Sequence, residues 1–208
     1  HGDVYVRMMS LSAGLCPVQE IYSIHECSFC LHCIRGDLPT CSRAICHRFA
    51  RCAAIPCGVG NGDSPTLAKL ANYIAKTAER KPGSYPHELA QVCNLTTLPA
   101  QDLDDVLAAT LVEEVWGVGR KIGAQLHECG IHTVLDLARM DPATIRRRWS
   151  VVLERTVREL QGMQCIDLDD APAPQKEIAC TRSFGQAITQ LPPLLEAVSE
   201  FASRAAEK

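Results

Sequence analysis

Between residues 66 and 80 the apolar positions return every three or four residues. Leu67, Leu70, Ala71, Ile74, Ala75 and Ala78 fall on one side, which predicts a helix with one buried face. Lys69, Lys76 and Arg80 line up almost opposite them. Periodicity alone favours reading that line as a solvated face; the alternative is a basic rail for phosphates. Upstream, VQEIYSI at 18–24 is apolar and β-rich, and 28–34 can return as a second strand across a hairpin. Glu26 stands at the corner, with His25 beside it. Residues 2–14 are expected to be helical, with Val4, Met8, Met9 and Leu11 on one side. A further helix is expected at 39–52, opening at Pro39, and a short buried strand at 55–60.

KPGSYP at 81–86 breaks the chain, and the pattern from there to Gly162 predicts short helices and turns. Asp141-Pro142 is an N-cap followed by proline at a first helical position, and Ser150 can cap the next helix, which Gly162 stops. The acidic, proline-rich stretch 166–177 reads as a linker, 178–184 as a strand and 193–207 as a helix. The expected fold class is therefore α+β: an antiparallel-type sheet with helices, then an all-α region, then a short α+β end.

Composition narrows the functional classes. A net charge of −3 over 208 residues gives no global attraction to nucleic acid, so any such binding must come from local basic patches. No apolar run is long enough to span a membrane and no signal peptide is visible, so a cytoplasmic location without membrane partners is expected. A start at His1 without methionine, and a stop inside a helical pattern, suit a piece of a longer protein. Seven of the 12 cysteines fall between Cys27 and Cys57. Cys27-x-x-Cys30-x-x-Cys33, with His25, His32, Cys46 and His47 nearby, leaves three readings open: structural zinc, a redox pair, or reduced buried thiols.

The clearest chemical signal is VWGVGRKIGAQLHECGI at 115–131. A Gly-x-Gly turn leaves main-chain N–H groups open to approach, and the helix that follows favours an anion at its start. Gly117, Val118, Gly119, Arg120 and Lys121 are thus candidates for holding a DNA backbone in a helix-hairpin-helix, without reading bases. Arg146, Arg147, Arg148, Arg155 and Arg158 follow, either as a solvated face or as an extension of that surface.

EIYSIHE, CGVGNGDSPTLAKLANYIAK, EEVWGVGRKIGAQLHECGIHTVLDLA, VVLERTVREL and IACTRSFG, in that order, resemble the Y-family lesion-bypass DNA polymerases, most of all those of the UmuC type. The resemblance implies a palm at 1–90 that includes the end of the fingers junction, and a helix-hairpin-helix thumb at 91–165. It further implies a linker at 166–177 and a little-finger fragment at 178–208. It implies template-directed nucleotidyl transfer with two Mg²⁺ ions, error-prone and part of SOS mutagenesis. Glu26 matches a family metal ligand, and His25 stands where the family has aspartate. The Asp motif that the family carries nearer its N-terminus does not occur, so the fragment by itself is expected to be inactive in synthesis, or to be a non-catalytic DNA-binding relative. Lys76 and Lys69 match positions near the incoming dNTP, although Pro65 replaces a lysine usual at the helix start. Arg182 and Ser183 match the start of the little finger, where template backbone is touched. The implied partners are primer–template DNA, dNTP, the processed UmuD dimer and the RecA filament.

Overall fold

A computed structural model describes residues 10–11, 19–23 (backbone alone), 26–30, 37–54, 56–166, 180–181 and 183–206. Strand β1 (Gln19–Ser23) pairs antiparallel with β2 (Glu26–Phe29). The register slips between Ile21 and Ser23, so that Ser23 rather than Tyr22 stands opposite Glu26. The return strand begins at Glu26, ahead of the expected 28. The corner residues 24–25 and most of the expected helix at 2–14 lie outside the described residues; Ser10 and Leu11 are helical.

Helix α1 (Leu38–Ala53) is capped by Asp37, whose carboxylate accepts from the Thr40 amide at 2.9 Å. The expected strand at 55–60 contracts to β3 (Val59–Asn61). Helix α2 (Pro65–Arg80) follows, with Ser64 Oγ accepting from the Leu67 amide and proline in the first turn. Its buried face is the expected set with Thr66 added. Strand β3 lies tight against α2 because its neighbours are glycines. A Cβ on Gly60 would come 2.1 Å from the Asn72 amide nitrogen, and one on Gly62 would come 2.5 Å from that of Ala68.

One expectation of the sheet is corrected. Strand β3 pairs with β4 (Val92–Asn94), and the pairing is parallel, with α2 as the crossover. A three-residue strand inside QVCNL carries too little alternation to separate from the surrounding turns. The fold is therefore mixed and helix-rich, with one antiparallel and one parallel pair among the described residues.

The helical half is built from short capped pieces: α3 (Ala100–Ala108), a 3-10 turn (Val112–Glu114), α4 (Arg120–Glu128), α5 (Val134–Ala138), α6 (Pro142–Arg148) and α7 (Val151–Leu160). Asp141 and Ser150 cap α6 and α7 as the sequence predicts, and Thr133 with Asp136 forms a capping box on α5. One buried apolar cluster joins α2, β4 and these helices, from Leu67 through Ile74, Leu107, Leu126 and Leu137 to Leu160.

Glu159, fully buried at the end of α7, ties the two halves together. One carboxylate oxygen accepts from the Thr66 amide (3.0 Å) and hydroxyl (2.6 Å); the other accepts from the amides of Cys165 (3.1 Å) and Ile166 (2.8 Å). A buried charge persists when its lone pairs are filled in this way, and the N-terminus of α2 favours a negative group.

Residues 1–170 make one compact unit and 171–208 a second. The second unit contains α8 (Leu191–Ala206), with Phe201 6.2 Å from Phe184 between ring centres. The expected strand at 178–184 is not found among its described residues, where 180–181 and 183–184 are irregular. Among the described residues no helix is long and apolar enough to cross a membrane.

Candidate functional site

The line of basic residues on α2 meets the start of β2. Lys76 Nζ lies 3.5 Å from Glu26 Oε1, and Lys69 Nζ lies 3.8 Å from Glu26 Oε2. The side chains remain partly open, at 32% for Lys76, 24% for Lys69 and 48% for Glu26. Helical spacing explains the pairing: seven residues are two turns, so Lys69 and Lys76 leave α2 in the same direction. Arg80, next on that line, is exposed.

Lys69 has a second neighbour that the sequence did not single out. Its Nζ lies 4.4 Å from the centre of the Trp116 ring, within range of a cation–π attraction. The available signal was an aromatic residue directly before Gly-x-Gly. From Trp116 the chain enters Gly117, whose φ of +89° suits glycine alone. Val118 then anchors the turn in the core, and Gly119 opens α4. No side chain caps α4, so its first amides have no side-chain acceptor, and Arg120 and Lys121 beside them are exposed. A Cβ on Gly117 or Gly119 would meet nothing within 4 Å, so both glycines border open space. The element before the turn is a single 3-10 turn, shorter than the helix expected there.

The arginine run stays at the surface, and most of it is paired there with other side chains. Arg146 and Arg158 pair with buried Glu154 at 3.4 and 2.9 Å, and Arg148 stacks 5.0 Å from the Trp149 ring centre. Arg147 donates to Thr144, while Arg155 is exposed. These contacts suit the reading of that run as a solvated face. Ser183 is exposed in the second unit, and Arg182 and His25 lie outside the described residues.

The ten described cysteines are all free thiols. Cys46 Sγ donates to the Cys57 carbonyl at 3.5 Å. The Cys46 sulfur held against it, together with burial, pushes the Cys57 thiol far up, and hydrogen bonding from Cys57 pulls Cys46 down. Among the described residues no three His, Cys, Asp or Glu side chains converge as a metal site; Cys33, His25 and His32 are not among them. Glu26 does not amount to a Mg²⁺ site by itself, because one carboxylate between two ammonium groups falls short of the oxygen set that ion requires.

No protein-family model matches the chain. Across its entire length, however, it is 39% identical to the Salmonella typhimurium protein UmuC, over 48% of that protein. It is 36% identical to Escherichia coli MucB, again over 100% of the chain and 48% of the relative. The chain is a relative of the UmuC-like Y-family polymerases. A more distant similarity, at 25% identity over 90% of the chain and 44% of the relative, reaches DNA polymerase IV of Moorella thermoacetica. Among solved structures, the insertion ternary complex of Dbh DNA polymerase aligns with a TM-score of 0.60 at 17% identity. That alignment covers 80% of this chain and 46% of Dbh, and it places the UmuC-like chain in the same fold. The chain spans about half the length of the curated relatives it matches.

Proposed function

We propose that this chain is the part of a UmuC-like translesion polymerase that holds the incoming nucleotide and the DNA backbone. In this reading 1–90 is palm, 91–165 a thumb carrying the helix-hairpin-helix, 166–177 a linker and 178–208 the start of the little finger. The observation that carries it is the convergence of Glu26, Lys69 and Lys76 beside the Trp116-Gly117 turn. Two ammonium groups two turns apart on one side of α2 suit a triphosphate, which presents several charged oxygens in a row. The uncapped first amides of α4 with Arg120 and Lys121 suit a DNA phosphate. Such contacts fix position without reading sequence, as lesion bypass requires of its DNA grip. Ser183 and Arg182 would add template contacts from the little finger, and UmuD and RecA would be the protein partners.

Glu26 would serve as one metal ligand in the complete protein. The described residues do not complete a Mg²⁺ site, and no chemical step is derived through one. The pairing of both Glu26 oxygens with lysines favours a second reading, a DNA-binding relative without chemistry. Primer extension with Mg²⁺ and all four dNTPs separates the two. Incorporation that disappears in Glu26→Ala supports the polymerase; DNA binding without any incorporation, also in a protein of its relatives' full length, supports the second.

A further inference from the structure

Trp116 stands where two parts of the proposed site meet. Lys69 Nζ lies over its ring at 4.4 Å, and the same ammonium is 3.8 Å from Glu26 Oε2. On its other side the chain passes straight into Gly117 and the opening of α4. Val115 and Val118, which bracket it, are buried at 3% and 6%, whereas Trp116 is 39% exposed. The valines therefore anchor the turn in the core. The indole, kept at the surface, presents its face to the lysine. An ammonium carries three N–H donors, so Lys69 can hold Trp116 and an anionic oxygen together, as it does with Glu26.

We propose that Trp116 is a positioning residue that couples triphosphate binding at Lys69 to DNA-backbone binding at the 117–121 turn. The inference rests on the function proposed above and adds communication between its two sites. A triphosphate that immobilises Lys69 also immobilises the indole and the backbone leading into Gly117. The turn is then already ordered when a DNA phosphate arrives, and the second ligand loses less conformational freedom on binding. Linkage makes the effect reciprocal: bound DNA strengthens triphosphate binding by the same factor. An exposed cation–π contact sets its size at about two- to five-fold in affinity.

The test measures anisotropy of a fluorescein-labelled blunt duplex, which offers no templating base, bound to the 208-residue chain with and without a saturating dNTP. The dNTP is expected to tighten duplex binding about two- to five-fold in the wild type, and by a part of that in Trp116→Phe. It should not do so in Trp116→Leu, which keeps bulk without a π face. A purely structural role would lower the melting temperature of Trp116→Leu and leave the coupling intact, and that result overturns the proposal. So does a wild type in which the dNTP changes nothing. Lys69→Gln separates the two levels of the argument. If it leaves dNTP affinity unchanged, the nucleotide assignment fails and the coupling with it. If it weakens dNTP binding while Trp116→Leu still couples like the wild type, the Trp116 inference alone fails.

Discussion

Lys76 lies 3.5 Å from Glu26, a contact between the fourth turn of α2 and the first residue of β2 that brings 50 residues of chain separation to one point. Lys69 completes the group at 3.8 Å. The partners are partly open to water, so the pairing contributes little to stability, about 0–1 kcal/mol. Its consequence is electrostatic: Glu26 offsets the charge that an anionic ligand would meet.

Glu26→Gln is therefore expected to tighten binding of a dNTP in the absence of divalent ions by about three-fold, while Lys76→Ala weakens it by a similar factor. Isothermal titration at low ionic strength reads both, and raising the salt should shrink both differences. Melting temperatures should stay close to wild type in each variant. Looser binding in Glu26→Gln would place the triphosphate elsewhere.

Gly60→Ala is expected to destabilise the first unit by about 3 kcal/mol, because its Cβ would fall 2.1 Å from main-chain nitrogen on α2, where no side chain can move aside. Urea unfolding measures the loss. A variant as stable as wild type would mean that β3 does not lie on α2 as described.

Glu159→Ala should cost about 3 kcal/mol or more, since it strips the Thr66, Cys165 and Ile166 amides of their shared acceptor inside the fold. Glu159→Gln, of the same shape, keeps one oxygen and sets an NH₂ against N–H donors, so it should fall between wild type and Ala. Denaturant titrations of the three proteins give the order.

The capping box on α5 makes a pH prediction. Hydrogen bonds to Asp136 from the Thr133 amide at 2.9 Å, and from that of His132 at 3.1 Å, hold its carboxyl below the usual carboxylate range. A depressed native value means the unfolded chain takes up the proton first. The contribution is thus fully present above the ordinary aspartate range and is lost as the pH falls through the native value. Thermal melts of wild type and Asp136→Asn should differ at neutral pH and converge in strong acid. A gap that persists unchanged in acid would contradict the assignment.

What the sequence made legible was what repeats or punctuates. The six apolar positions of α2, the caps at Ser150 and Asp141, and the Gly-x-Gly turn all announce themselves through local chemistry. The parallel partner β4 did not, because three residues carry no period and their pairing is set by a helix folded between them. The burial of Glu159 was equally hidden: its acceptors are filled by residues 93 positions upstream and six to seven downstream. At the candidate site, resemblance supplied Glu26, Lys69 and Lys76 separately, and the fold brought them together. The role of Trp116 came from the fold, since its place before Gly-x-Gly does not tell a ring that holds a lysine from one that fills a core.

A grip on DNA by the 117–121 turn is the central proposal, and Gly119 tests it most directly. A side chain there enters open space and meets no part of the fold, so Gly119→Leu should remain folded, with a loss of about 1 kcal/mol at most from the changed cap. It would, however, hold a phosphate away from the amides of α4. Measured by anisotropy with duplexes of unrelated sequence over a range of salt, wild-type affinity should be sequence-indifferent and fall steeply with salt. Gly119→Leu should bind all of them about ten-fold more weakly or worse, as expected when charge-assisted hydrogen bonds to a phosphate are lost. Equal affinity and an equal salt slope in the two proteins would contradict it.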